Sequence, residues 1–215
     1  LKEHLDKNGK LSNEEIKALL LQMSEALCYV HQQGFVHRDI KPSNFMIDAE
    51  GQLKLMDFGI AKNTDMTAAE YTQTGTSLML GTPMYMSPEQ ILSAKDVTAQ
   101  TDIYSLGVVL WQMVQGTKPY DTQTLSTFEL QTTIVNEDLP LTNTIWDTIL
   151  SKATHKKVAE RYPTIAEFIA NINELDFNKS YNDKISGIVE KEAVLKEAEI
   201  NAINEISVEL ETNVL

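Results

Sequence analysis

Cysteine is nearly absent from this sequence. Its 215 residues hold one, Cys28, so no disulfide framework and no cysteine-built zinc cluster can form within the chain. A reducing compartment is then the default. Cys28 sits in an apolar helical pattern and is expected to fill core rather than react. Long apolar runs are missing too. The longest, around Leu106 to Val114, is broken by Gln112, so no membrane span is expected. The front of the chain carries no signal-peptide pattern. Basic residues are scarce: 18 Lys and Arg stand against 31 Asp and Glu, a net charge of −13. Such a chain is not expected to bind nucleic acid or anionic membrane non-specifically. A cytoplasmic location is expected, with an anchor outside this chain left open. The first residue is Leu1 rather than Met, which suggests a piece of a longer protein.

What is present is ordinary globular material, 42% hydrophobic and 23% charged, enough for one core plus an appendage. Ser12 and Glu15 read as a capping box ahead of Ile16, Leu19, Leu20, Met23, Leu27 and Val30 at helical spacing, with Gly34 closing the helix. Phe45 to Ile47 and Leu53 to Met56 flank Asp48-Ala49-Glu50-Gly51 and read as a β-hairpin. Residues 60–82 lose all periodicity, which marks a functional or disordered stretch. Asp102 to Gln115 is apolar on most sides and predicts a buried helix ended by Gly116. Amphipathic helices are predicted near Phe128 to Asn136 and Thr144 to Ala153. Another follows a Thr164 and Glu167 capping box. Composition shifts near Asn178. Residues 184–211 read as one charged helix, a linker, a partner-binding element or a solvated appendage. The expected fold is mainly α with a small β-hairpin, in two parts, 1–177 and 178–215.

The chemistry concentrates in His37-Arg38-Asp39-Ile40-Lys41-Pro42-Ser43-Asn44. A carboxylate beside a cation suits proton acceptance from a hydroxyl. A lysine two residues on can neutralise phosphoryl charge. Across the hairpin stands Asp57-Phe58-Gly59. A hairpin returns its ends to one place, where Asn44 and Asp57 can offer oxygens to a hard cation such as Mg²⁺. Gly59 permits a sharp turn after Asp57. His31 and His155 have no partner pattern and are expected at the surface. His37 is expected as a packed, hydrogen-bonded histidine rather than an acid or base.

These residues resemble the protein-kinase catalytic loop H-R-D-L-x-x-x-N followed by D-F-G, with Ile40 in place of Leu. Two further blocks agree. Gly81 to Glu89 looks like the end of a kinase activation segment, with Ser87 for the usual Ala of A-P-E. Asp102-Ile103-Tyr104-Ser105-Leu106-Gly107 looks like the start of the central helix of the large lobe. Arg161 matches the arginine that pairs with the Glu89 position. The usual Asp-Pro before it is replaced by Lys157-Val158, which puts one local turn in doubt. The wording is closest to bacterial kinases of eukaryotic type.

The resemblance implies a protein-kinase-like large (C-terminal) lobe over 1–177 and the cofactors ATP and Mg²⁺. It implies a protein serine/threonine kinase that transfers the γ-phosphate to Ser or Thr hydroxyls of protein substrates. Asp39 would take the hydroxyl proton, Lys41 would steady the γ-phosphate, and Asn44 and Asp57 would hold Mg²⁺. Met46 would floor the adenine pocket. His37 and Phe58 would stack in an apolar column, and Asp102 would anchor the catalytic loop. Asp-x-Lys at Asp39 to Lys41, with Thr82, points to Ser/Thr rather than Tyr. Arg38 would receive a phosphate on the activation segment, with Thr74 and Thr76 as the expected acceptors. Plain readings stand beside these: Asp102 as a first-turn helix acid, Phe58 and Met46 as core, the threonines as loop residues. The chain lacks the Gly-rich loop and the V-A-I-K lysine strand, so on its own it is expected to transfer little phosphate. The alternative function is a non-catalytic kinase-like substrate- or partner-binding module.

Overall fold

The computed structural model describes residues 1–57, 83–93, 96–121 and 124–177. Its first compact unit is Leu1–Leu175. Phe58, Gly59, Thr74, Thr76, Thr82 and the charged helix expected over 184–211 lie outside the described residues. Among the described residues the unit is mainly helical, with a two-stranded antiparallel ribbon docked on it. Its helices are α1 (Lys2–Asn8), α2 (Asn13–Gln32), α3 (Pro88–Leu92), α4 (Ala99–Gln115), α5 (Thr127–Asn136), α6 (Asp147–Ala153) and α7 (Ile165–Asn173). Its strands are β1 (Phe45–Ile47) and β2 (Leu53–Leu55).

Helix α4 is the centre. Every residue from Thr101 to Val114 is buried, and α2, α6, α7 and the 3₁₀ turn Pro83–Tyr85 pack around it. The sequence is apolar on most sides of this helix, as burial requires, and its buried polar residues Thr101, Asp102, Ser105 and Gln112 are hydrogen-bonded. Gly107 lets α6 close on it: a Cβ there would lie 2.6 Å from Thr154 Cγ2 and 3.0 Å from Ala153 Cβ. Gly116 ends the helix in the left-handed region, φ 73°, which glycine adopts without a Cβ penalty.

Helix α2 starts at Ser12, whose hydroxyl accepts from the Glu15 N–H. The reciprocal half of the expected capping box does not form. Glu15 Oε1 instead takes His4 Nε2 at 2.7 Å, clipping α1 to α2. The stripe Ile16, Leu19, Leu20, Met23, Leu27 and Val30 is buried, each large side chain contributing about 1.5–3 kcal/mol. Cys28 corrects an expectation: it is only half-buried. It lies one residue, roughly 100° of helix rotation, past Leu27 and so off the stripe.

The ribbon pairs Phe45 with Leu55, Met46 with Lys54 and Ile47 with Leu53. Two strands alone are marginal, and three local devices fix this pair. Asp48 Oδ1 accepts from the Glu50 and Gln52 N–H groups, at 3.2 and 2.8 Å, within the turn. Gly51 takes φ 80° there. Gln22 of α2 accepts the Leu53 N–H at 2.9 Å, docking the ribbon on the helix.

Helix α6 begins at Asp147, later than the expected Thr144. The Asp147 carboxylate accepts from the Thr142 N–H and hydroxyl, at 2.8 and 2.6 Å, and from the Thr144 N–H at 3.3 Å. Residues 142–144 are thus bound into a loop. The turn left in doubt at Lys157-Val158 forms as a 3₁₀ turn over Val158–Glu160 without its proline.

Candidate active site

The segment from His37 to Asn44 has little regular structure of its own, so its shape comes from partners. The chief one is Asp102, in the first turn of α4 and fully buried. Its Oδ2 accepts the His37 N–H at 2.8 Å and its Oδ1 accepts the Arg38 N–H at 2.8 Å. A third donor is His31 Nε2, 2.8 Å from Oδ2. Three hydrogen bonds stabilise a carboxylate that burial alone would penalise. His31 overturns the surface expectation. Its side chain is 10% exposed, because the last turn of α2 packs toward α4. No local pattern marks a pairing between residues so far apart in sequence.

His37 is buried. The Asp39 N–H donates to its Nδ1 at 3.3 Å, and its Nε2 lies 3.2 Å from the Met56 carbonyl. That arrangement places the ring proton on Nε2 and ties the loop to the end of β2. Arg38 takes φ 67°, a region that non-glycine residues rarely adopt.

Asp39, Lys41 and Asn44 meet. Lys41 Nζ reaches Asp39 Oδ2 at 2.7 Å. Asn44 Nδ2 donates to the same oxygen at 3.1 Å and to the Asp39 carbonyl at 2.7 Å. The pair is about three-quarters buried on both side chains (25% and 26% exposed). Pro42 starts the 3₁₀ turn Pro42–Asn44, where its fixed φ suits the first position. That turn brings Asn44 back under Asp39. The Met56 N–H then donates to the Asn44 carbonyl at 2.8 Å, closing the ribbon and setting Asp57 beside Asn44 in the chain path. Asp57 is exposed and also has positive φ, 49°. Two non-glycine residues in this region flank one cluster, the pattern of stored backbone strain at functional sites. Met46 is 47% exposed, which removes its plain-core reading.

Arg161 and Glu89 form a buried two-pronged pair, Nη1 to Oε1 at 2.7 Å and Nη2 to Oε2 at 2.8 Å. Thr101 adds its hydroxyl to Glu89 Oε1 at 2.7 Å. The guanidinium spends its remaining donors on the carbonyls of His155, Gln100 and Lys156. Burial pushes the Glu89 carboxyl up, but the Arg161 hydrogen bonds and charge outweigh it and hold the group below its usual range. This pair fixes α3 against α4. Ser87, where the family has Ala, earns a structural part as N-cap of α3: it forms a capping box with Gln90. The S-x-x-Q spacing was readable in the sequence, and so was Ser126 with Glu129, which caps α5.

Among the described residues no helix is long and apolar enough to cross a membrane. Among the same residues no group of three or more His, Cys, Asp or Glu converges on a metal position.

A loop pinned by a buried helix acid, a clustered Asp, Lys and Asn, and a short ribbon followed by Asp57 lie together in this unit. Comparison with known proteins gives the class: the protein kinase domain model matches residues 1–186, and the chain belongs to that family. It is similar to a probable serine/threonine-protein kinase PknB of Bifidobacterium longum, 37% identical over 177 residues, covering 80% of this chain and 25% of the relative. It is also similar to the serine/threonine-protein kinase PrkC of Bacillus subtilis, 34% identical over 201 residues, covering 91% of this chain and 30% of the relative. The chain thus spans less than a third of the length of these relatives.

Proposed function

We propose that the protein carrying this chain is a serine/threonine protein kinase and that Leu1–Leu175 is the large lobe of its catalytic domain. The supporting observation is the Asp39, Lys41 and Asn44 cluster, held from one side by Asp102 and joined to Asp57 through the Met56 to Asn44 hydrogen bond. Asp39 accepts the proton of the substrate hydroxyl. Lys41, two residues on, holds the Asp39 carboxylate in place and faces the transferred phosphoryl group. Small hydroxyls of Ser or Thr are the acceptors, following the Asp-x-Lys pattern.

The residues present fit a magnesium nucleotide. Mg²⁺ is held by one or two protein oxygens and completes its shell with phosphates and water rather than with an all-protein cage. An exposed carboxylate, Asp57, one residue past the Met56 to Asn44 backbone bond, together with the Asn44 amide, is that kind of donor set. The Asn44 NH₂ is committed to Asp39, which leaves its Oδ1 as the ligand atom. Bound there, Mg-ATP would supply the γ-phosphoryl group and neutralise its charge. Met46, exposed on the ribbon, offers an apolar contact for the base. Arg38 and the threonines 74, 76 and 82 are proposed to read and complete the activation segment.

The test uses the full-length protein, Mg-ATP with a labelled γ-phosphate, and casein as a generic acceptor. Label on Ser and Thr is expected, falling at least about 100-fold in Asp39→Asn and Asp57→Asn. Wild type without transfer, or Asp39→Asn matching wild type, overturns the proposal.

A further inference from the structure

Gln90 lies on α3, outside the cluster, and the sequence pattern gives it only the capping-box part with Ser87. Its side-chain amide makes two bonds in opposite senses. Oε1 accepts the Ser87 N–H at 3.0 Å. Nε2 donates to the Arg38 carbonyl at 2.8 Å, across 52 residues of sequence. The Ser87 N–H can only face the amide oxygen, so the NH₂ necessarily faces Arg38.

The Arg38 carbonyl belongs to the peptide unit that joins Arg38 to Asp39. The other end of that unit, the Asp39 N–H, donates to His37 Nδ1 at 3.3 Å. One rigid plane is therefore gripped at both ends, by Gln90 and by His37. The preceding plane is gripped by Asp102 through the Arg38 N–H. Between the two planes sits Arg38 at φ 67°, a conformation that persists only when its surroundings over-determine it. A peptide plane held in orientation sets the direction in which the next Cα–Cβ bond leaves, and here that bond carries the Asp39 carboxylate.

We propose that Gln90 is a positioning residue: it holds the Arg38–Asp39 peptide plane and thereby aims Asp39 at the substrate hydroxyl. The inference rests on the kinase reading above. It also means that α3, which follows residues 58–82 in the chain, is mechanically joined to the loop that carries the base.

Gln90→Glu is the discriminating variant. It keeps an acceptor for the Ser87 N–H, since Glu is as good as Gln in a capping box, and it sets a carboxylate oxygen against the Arg38 carbonyl. In the full-length protein the expected results are a kcat about tenfold lower, about 1.4 kcal/mol in barrier, with KM for ATP within about twofold. Hydrogen exchange in peptides covering 36–41 should be about tenfold faster. Ser87→Ala removes the hydroxyl cap and keeps the bridge. It should lower Tm by a few degrees with kcat and exchange at 36–41 unchanged. If Gln90→Glu unfolds the protein, Gln90→Leu carries the same expectation without the added charge. A variant with wild-type kcat and wild-type exchange at 36–41 overturns the inference. Wild type with no phosphate transfer overturns the kinase reading instead, and the exchange comparison still decides on Gln90.

Discussion

Replacing Asp102 by asparagine keeps the side chain's shape and removes its charge. The aspartate accepts from three donors: the His37 N–H, the Arg38 N–H and His31 Nε2, all at 2.8 Å. Asparagine has one accepting oxygen. Its best orientation keeps that oxygen on His37 and His31, and its NH₂ then points at the Arg38 N–H. One charge-assisted bond is lost, about 1.5–3 kcal/mol. The other two lose their charge assistance, which weakens them roughly twofold. Together with the unmet Arg38 donor the cost is about 3–5 kcal/mol. An ordinary first-turn acid acting on the helix dipole would contribute only about 0.3–1 kcal/mol. The gap exceeds the error of about 10–15% in an extrapolated unfolding free energy. Urea unfolding followed by tryptophan fluorescence measures it, because the two tryptophans, Trp111 and Trp146, are both buried in the described unit. A loss under about 1 kcal/mol at unchanged m-value would refute the reasoning and return Asp102 to a plain helix acid.

Glu89→Gln leaves the buried Arg161 guanidinium without its anion and should cost about 3–5 kcal/mol in the same assay. The Glu89 carboxyl is held below its usual range, so its contribution is complete above the unfolded carboxyl pKa and disappears as pH falls through the lower folded value. The wild-type advantage over Glu89→Gln should therefore shrink in acid, and an advantage independent of pH refutes the assignment. Gly107→Ala gains about 1 kcal/mol of helix propensity but drives a Cβ into Thr154 and Ala153. Overpacking of about 1–3 kcal/mol should win, and a raised Tm would show that α6 yields. Val158→Pro restores the residue missing from the family turn. Lys157 is already extended, ψ 123°, and Val158 is the first residue of its 3₁₀ turn, so a stabilisation of about 0.4–1 kcal/mol is expected. A loss of stability in urea would mean that the Val158 φ is wrong for proline.

Most of the architecture was legible in the sequence for local reasons. The largely apolar run of α4, the 3.6-residue stripe of α2 and the Asp48 to Gly51 turn are short-range patterns, and each produced its element. Caps and boundaries departed from expectation where a side chain chose a distant or backward partner. Glu15 turns to His4 rather than to its own helix end. Asp147 reaches back to Thr142 and Thr144 and delays α6. Cys28 lies beside the α2 stripe, a difference of one helical position that composition does not register.

The site divides along the same line. The candidate side chains Asp39, Lys41 and Asn44 stand within a few residues of one another, and Asp57 follows one short ribbon later, so a motif names them. Their orientation does not come from that motif. Arg38 and Asp57 hold positive φ without being glycine; a short polar aspartate tolerates that region, but nothing in the Arg38 side chain favours it. The groups that hold Arg38 there are Asp102 and Gln90, 64 and 52 residues away. His31, which braces Asp102 from α2, is 71 residues from it. A strained loop of this kind cannot keep its shape by local propensity, so its geometry depends on α2, α3 and α4 being packed together. Destabilising that packing anywhere, at Gly107 as much as at Glu89, should blunt Asp39 before it unfolds the chain, because the αL conformation of Arg38 is the first thing the packing stops compensating.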